Sequence, residues 1–199
     1  MDAATLRRAA AECTGFLLEH AEADWTRDIP ELEMTVAEVV AHIGNTFVWY
    51  PQDLVAGPTE LSTLDIKVRP DASARELIAT VSAGASVLAL VIAGTPQDTR
   101  GWHPWGLADP SGFAGMACDE LLVHTEDAAR GLGVPFRPSP ELAEATVRRL
   151  FPWAPGDADP WDALRWANGR LALPGHPRLT KWRWHCAPLA DWNGVAPIE

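Results

Sequence analysis

Four side chains have the types and the spacing needed to bind a metal ion. Glu120, His124 and Asp127 lie at positions i, i+4 and i+7 of a predicted helix, which places them on one helix face. Their neighbours on this helix are apolar, and a carboxylate buried there needs a cation or strong hydrogen bonds to stay ionised. His42 lies among valines and an isoleucine on another predicted helix and offers an imidazole to the same point. Carboxylates and histidines on facing helices form metal sites in the cores of helical bundles.

His42, Glu120 and His124 together form a His₂Glu set, which in catalytic zinc sites leaves a fourth position open for water or substrate. Asp127 is predicted either to hold the His124 imidazole from behind or to accept a proton. Two other interpretations stay open here. A glutamate four residues before a histidine is often only an exposed pair that stabilises its helix slightly. A histidine on an apolar helix face is often a packed core residue that binds no ion.

Two more residues are candidate substrate contacts. His103 lies in a Trp-His-Pro-Trp loop, where it either reaches the mouth of the bundle or is only a turn residue. Arg130 lies near the end of the predicted fourth helix. There it either binds a substrate carboxylate or is a solvated cation that favours the helix dipole. Cys118, next to the polar face, is interpreted as a small core residue.

The elements that must position these side chains are four amphipathic helices, indicated by apolar residues at three- and four-residue spacing before residue 134. Thr35 with Glu38, and Ser73 with Glu76, are capping boxes that begin the second and third helices. Each apolar face can be buried only against the others, so the sequence predicts an all-α protein built on a four-helix bundle. The predicted helices are residues 2–22, 35–50, 73–94 and 112–130, the second ending before Pro51 and the fourth stopped by Gly131 and Gly133.

The chain is predicted to divide into a bundle, residues 1–134, and a C-terminal extension, residues 135–199, that is rich in tryptophan and proline. The extension is too short and too broken by proline to fold alone, so we expect it to pack on the bundle. Two short helices are predicted from Ser139-Pro140 and Asp159-Pro160. Residues 181–186 alternate like a strand. The tryptophans are interpreted as docking this segment onto the bundle, the alternative being a tryptophan-lined ligand pocket.

The composition excludes several classes of partner. The 199 residues carry a formal net charge of −11, which a nucleic-acid backbone or an anionic membrane would repel. No uninterrupted apolar stretch of about 20 residues and no secretory signal is visible, and the three cysteines lack zinc-knuckle spacing. We therefore expect a cytoplasmic monomer or homodimer that acts on a small molecule and binds neither nucleic acid nor membrane.

Two segments of the chain carry a resemblance to a known family. Thr35-Val-Ala-Glu-Val-Val-Ala-His42-Ile is followed, about eighty residues later, by Asp119-Glu-Leu-Leu-Val-His-Thr-Glu-Asp-Ala-Ala-Arg-Gly-Leu-Gly133. This combination resembles the DinB-like superfamily, and more narrowly the N-terminal domain of mycothiol-dependent maleylpyruvate isomerase, over about residues 6–133. Other branches of the superfamily use three histidines, so a glutamate at position 120 is more similar to the isomerase branch.

The resemblance implies a divalent ion, usually zinc, on His42, Glu120 and His124, and chemistry that uses a low-molecular-weight thiol such as mycothiol. The isomerase has a fuller C-terminal domain than this chain, and Arg183 or Arg170 could take the place of a substrate-carboxylate arginine from that domain. The leading hypothesis is a transferase or isomerase in which a metal-bound thiolate attacks a small electrophile, Asp127 directing the proton. The alternatives are a hydrolase or lyase that activates water, a non-catalytic module that binds metal or a small ligand, and a metal-free bundle.

Overall fold

The structure is a computed structural model that describes residues 1–196, and it is helical. Residues 1–196 contain six α-helices, one 3-10 turn and three isolated β-bridges, and they contain no β-strand. The predicted all-α fold is confirmed, with a DinB-like bundle formed by the first four helices. The helices are α1 (Ala3–Glu19), α2 (Val36–Ala56), α3 (Ala74–Gly94), α4 (Pro110–Leu132), α5 (Pro140–Leu150) and α6 (Pro160–Ala167), and the 3-10 turn is Leu189–Asp191.

The caps that the sequence shows determine where the bundle helices begin. Both predicted capping boxes form at the starts of α2 and α3, with side-chain and backbone bonds in each direction. The Asp109 carboxylate accepts the Gly112 N–H and caps α4, whose other end is closed by Gly133 in the left-handed region at φ 73°. The two ligand-bearing helices, α2 and α4, contact each other.

The prediction that α2 ends before Pro51 is wrong, because the helix continues to Ala56. Proline lacks an N–H and so removes one bond to the preceding turn. Pro51, Asp53 and Leu54 are nevertheless buried, so packing of this last stretch outweighs the missing hydrogen bond. The continuation adds the turns on which Asp53 lies.

Helix α4 is the central helix of the molecule. It contacts α1, α2, α3 and α5, and 20 of its 23 residues are buried. Polar side chains in so buried a helix need partners, since an unpaired buried polar group costs free energy. The carboxylates of α4 meet this need mostly through side chains of the C-terminal extension.

The C-terminal extension packs on α4, and its two helices begin at the predicted residues. The predicted strand at 181–186 is wrong: the segment is extended but pairs with no strand of residues 1–196. Arg149 holds it, donating to the carbonyl oxygens of His185 and Cys186 at 3.1 Å each. A side chain at Gly112 would lie 2.5 Å from the Cys186 oxygen, so this close crossing requires glycine. The alternation in the sequence arises because Trp184 and Cys186 are buried and their neighbours are less so. The division of the chain into a bundle and an extension at residue 134 stays a prediction.

Helix α3 is long and apolar enough, by length and composition alone, to cross a membrane. The sequence had led us to expect no such stretch. Seven residues of α3 are buried, and the helix contacts α1 and α2. Core helices of soluble proteins meet the same criterion, so this is weak evidence for a membrane span.

Candidate metal centre

Three side chains from two helices converge between α2 and α4. His42 Nε2 lies 3.2 Å from Glu120 Oε2, and His124 Nε2 lies 3.2 Å from the same oxygen. One potential ligand atom from each residue falls within 4.8 Å of the other two. The imidazole of the second helix therefore points at the Glu120–His124 pair, and the structure brings together the three residues that the sequence singled out.

A buried carboxylate orients His124 from behind. The Nδ1 atom of His124 lies 2.9 Å from Asp127 Oδ2, and Asp127 is completely buried. Arg170, from the C-terminal extension, donates to both oxygens of Asp127, at 2.7 and 3.0 Å. A carboxylate that accepts the Nδ1 proton leaves Nε2 as the ligand atom, an arrangement common around metal-bound histidines. Of the two roles predicted for Asp127, this geometry favours holding the imidazole.

The electrostatics of the site are dominated by paired charges. Burial acts to raise the pKa of Glu120, but the hydrogen bonds and charges of His124 and His42 outweigh it and lower the pKa to about 2. Burial likewise disfavours the charged form of His124, yet hydrogen bonds to Asp127 and Glu120 raise its pKa to about 9. Glu120 is therefore an anion at neutral pH, held by groups that favour its charge.

The donor set fits a divalent ion. Two imidazole nitrogens and one carboxylate oxygen face one another across a few ångströms. This is the ligand chemistry of catalytic zinc sites, in which the histidines have hydrogen-bonded partners, as His124 has here. The carboxylate is buried and the neighbouring space is open, so the remaining coordination position would face a cavity.

That space consists of two adjoining pockets, which we call lobes, and both are lined by His42 and Glu120 of the triad. The smaller, which we call the tail lobe, has a volume of about 350 Å³ and the larger, the connector lobe, about 650 Å³. Both are lined by His42, Tyr50, His103, Pro104 and Glu120. The tail lobe adds Trp105, Asp119, Val123, His124, Asn168, Arg170, Trp182 and Trp184. The connector lobe adds Asn45, Thr46, Trp49, Asp53, Glu60, Leu61, Ser62, Leu64 and Trp102.

Residues 6–129 match the family described as mycothiol maleylpyruvate isomerase N-terminal domain. The chain belongs to this family. No curated protein and no solved structure gives a significant match. The matched region contains His42, Glu120, His124 and Asp127, whereas Arg170, Trp182 and Trp184 of the extension lie outside it.

Among the predicted substrate contacts, His103 lines both the tail lobe and the connector lobe. It is nearly buried, its Nδ1 accepts the Trp105 N–H at 3.2 Å, and Cys186 Sγ lies 3.6 Å away. Burial lowers the pKa of His103 to about 4, although the charge of Glu120 opposes this. The residue is therefore a neutral imidazole beside the triad.

The structure places two of the predicted arginines outside the cavity. Arg130 donates to the Pro30 carbonyl at 2.8 Å and lies 3.6 Å from Asp127 Oδ1, so it contacts the carboxylate behind His124 and lines a separate surface cavity. Arg183 is exposed and lines a groove on the other side of Trp184, since alternate residues of an extended segment point in opposite directions. Arg170 is the arginine that lines the tail lobe, where it is already paired with Asp127.

Sequence reasoning missed three polar residues of the site. Tyr50 and Asp53 lie eight and eleven residues after His42, a spacing that keeps them on the same face of α2, so a polar stripe was visible once α2 was extended. Asp119 is buried, and its two oxygens accept from Asn168 Nδ2 at 2.8 Å and Trp184 Nε1 at 2.9 Å. Burial raises the pKa of Asp119 to about 7, and no local sequence signal predicted either of its partners.

Proposed function

We propose that this protein is a cytoplasmic, metal-dependent enzyme that uses a low-molecular-weight thiol of the mycothiol type. It would act as a transferase or isomerase on a small electrophilic substrate. The observation that carries the proposal is a His₂Glu triad, in a member of this family, that opens onto a two-lobed cavity. His42, Glu120 and His124 would hold the ion, with zinc the expected metal. Two lobes at one centre suit a reaction between two small molecules.

The chemistry supplied by a divalent ion at this place is a lowered pKa of a coordinated thiol, so that the nucleophilic thiolate is available near neutral pH. The cysteines of the chain are poor candidates for that nucleophile. Burial raises the pKa of Cys13 and Cys186 to about 12 and also raises the pKa of Cys118. All three are buried thiols at neutral pH, which supports an external thiol.

The side chains around the triad have separate tasks in this proposal. Asp127 and Arg170 hold the His124 ring, and Trp105, Trp182 and Trp184 form an aromatic wall that excludes water from the tail lobe.

Tyr50 lies at the junction of the two lobes. Burial, followed by the charge of Glu120, raises its pKa well above the usual value of 10.0, so its hydroxyl stays protonated. In this proposal that hydroxyl would donate a hydrogen bond to a substrate oxygen as negative charge develops there.

The proposal is tested by metal analysis followed by thiol-dependent turnover. The purified protein should bind about one divalent ion per chain, and His124→Ala should lose it, while His20→Ala, outside the triad, should keep it. The metal-loaded protein is then incubated with mycothiol and a panel of electrophiles that includes maleylpyruvate. A thiol adduct or thiol-dependent isomerisation supports the proposal. Turnover without thiol would indicate the water-activating hydrolase or lyase, and bound metal without any turnover would indicate a binding module.

A further inference from the structure

One ring nitrogen of His103 is already used by the protein itself. The Nδ1 atom accepts the backbone N–H of Trp105 at 3.2 Å, within the loop that carries both residues. Cys186 Sγ lies 3.6 Å from the same nitrogen, and burial raises the pKa of this thiol to about 12, so its proton is present to be donated. A ring nitrogen that accepts such donors carries no proton, and a neutral imidazole then has its proton on Nε2.

The other ring nitrogen, Nε2, opens into the cavity. It has no hydrogen-bond partner within residues 1–196, yet it is not sealed from solvent as some unpartnered side-chain atoms of this part of the chain are. His103 is only 9% exposed and lines both lobes, so the accessible edge of the ring faces them. Buried polar groups in folded proteins are almost always hydrogen-bonded, so a donor left over in a cavity marks the place of a ligand acceptor.

The state of the ring excludes two other roles. Burial holds the pKa of His103 at about 4 against the opposing charge of Glu120, so the ring neither gains nor loses a proton near neutral pH. In this tautomer Nδ1 is occupied and Nε2 is protonated, which leaves no lone pair for a metal ion beside the triad. What remains is the donation of one hydrogen bond. A neutral imidazole can polarise an oxygen in this way without giving up its proton.

We propose that His103 is a catalytic residue whose Nε2–H donates a hydrogen bond to an oxygen of the electrophilic substrate, with Trp105 and Cys186 fixing its tautomer. The inference rests on the function proposed above. The ring of Tyr50 lies beside that of His103, with centroids 6.0 Å apart, and lines the same two lobes. Two neutral donors therefore lie side by side near the triad. Such donors stabilise negative charge on an oxygen without a change in their own charge.

Two substitutions separate this role from a structural one, because each amide reproduces one nitrogen of histidine. The asparagine amide reaches the position of Nδ1, so its oxygen can accept the Trp105 N–H, but it offers no donor at the position of Nε2. The glutamine amide reaches the position of Nε2 and offers an N–H there, but it leaves the Trp105 N–H without its acceptor. A residue that only holds the loop would tolerate His103→Asn better than His103→Gln. A donor to substrate would show the opposite order.

The probe is 4-nitrophenol, whose ionised oxygen is a strong acceptor and whose ionisation is read by absorbance. It is titrated into the zinc-loaded protein at pH 7.5. We expect His103→Asn to bind the phenolate about tenfold more weakly than the wild type, and His103→Gln to lose no more than about threefold. His176→Asn, an exposed histidine outside both lobes, is the matched control and should bind like the wild type. Zinc affinity should be unchanged in all three variants.

Nitrogen-15 NMR of the histidine rings checks the tautomer directly, with or without bound zinc. The ring of His103, assigned by the signals that His103→Asn loses, should be neutral and protonated on Nε2 at pH 7.5. A proton on Nδ1, a charged ring, no phenolate binding by the wild type, or equal binding by His103→Asn overturns the inference while the zinc site stands. Failure of the wild type to bind zinc would instead remove the proposed function.

Discussion

The two sides of the triad are built differently. On the α4 side, His124 is 20% exposed, and its second nitrogen is held by Asp127, which is in turn held by Arg170. On the α2 side, the His42 side chain is 45% exposed, and its one hydrogen bond to a side chain within the described residues goes to Glu120. A ligand fixed through a second partner loses less freedom when it binds an ion. The α4 side is therefore preorganised, and the α2 side can adjust.

The sharpest way to break this comparison is to remove one histidine from each side. We expect His124→Ala to abolish stoichiometric zinc binding, because it removes the oriented ligand. His42→Ala should leave weaker residual binding through the Glu120–His124 pair on one helix. Competition with a chromophoric chelator measures both affinities. Equal losses would show that the two sides contribute alike.

Removing the arginine that supports the α4 side should lower stability rather than only affinity. Arg170→Gln leaves the buried Asp127 carboxylate with His124 and, at 3.6 Å, Arg130 as its remaining partners. Breaking a buried ion pair costs about 3–5 kcal/mol, and because Arg130 remains we expect a loss at the lower end of this range. Urea denaturation measures the change in the free energy of unfolding. Arg178→Gln is the control, because its partner Glu31 is exposed and such pairs contribute about 1 kcal/mol or less. A similar loss in both variants would contradict the importance of the buried pair.

Changing the orienting carboxylate should weaken metal binding by an intermediate amount. Asp127→Asn keeps the size of the side chain but removes the charge behind His124, and such changes typically cost about 10–100-fold in metal affinity. The measurement is zinc affinity of the folded variant by chelator competition. Asp162→Asn, a half-exposed carboxylate paired with Arg165, is the control and should bind zinc normally. Unchanged affinity in Asp127→Asn would make the α4 side no better organised than the α2 side.

The smallest expected effect concerns the carboxylate of Asp53 on α2, which makes no hydrogen bond or ion pair within residues 1–196, and it depends on pH. The folded state raises the pKa of Asp53 from 3.8 to about 6. A raised carboxyl pKa means that the folded state is favoured while the group is protonated and loses stability as the pH rises from about 4 through 6. Asp53→Asn should therefore be more stable than the wild type at pH 7.5, by roughly 1 kcal/mol after allowance for solvent screening.

This gain should disappear below about pH 4, where Asp53 is protonated in both states. Thermal unfolding of both proteins across pH 3.5–7.5 measures it. The exposed control Asp98→Asn should show little dependence of this kind. A constant difference at all pH values would mean that Asp53 is not an uncompensated charge in the folded protein.

The bundle and the triad could be predicted because their signals are local. Capping boxes and apolar spacing identify helices from neighbouring residues, and the i, i+4 spacing places Glu120 and His124 together on α4 whatever surrounds them. Asp53 was missed for a physical reason. Proline was expected to end α2, whereas burial of Pro51 and Leu54 stabilises the helix beyond it.

The contacts that support the triad could not be predicted from local patterns. Arg170 meets Asp127 across 43 positions of sequence, and Trp184 meets Asp119 across 65. Such pairs depend on how the C-terminal extension crosses α4, which no spacing rule describes. For the same reason Arg183 was predicted to bind a substrate carboxylate, whereas it lines a groove outside the tail lobe.

Two of the three tryptophans in the aromatic wall of the tail lobe, Trp182 and Trp184, lie beyond the region that matches the family, whereas Trp105 lies within it. The triad therefore lies in one stretch of the chain, and part of the wall of the tail lobe comes from another. An insertion or replacement after residue 134 would change the shape of the tail lobe, while α2 and α4 would keep their caps and the spacing of His42, Glu120 and His124. If the protein is the proposed enzyme, changes in the C-terminal extension can therefore alter which substrates it accepts without altering the metal ligands.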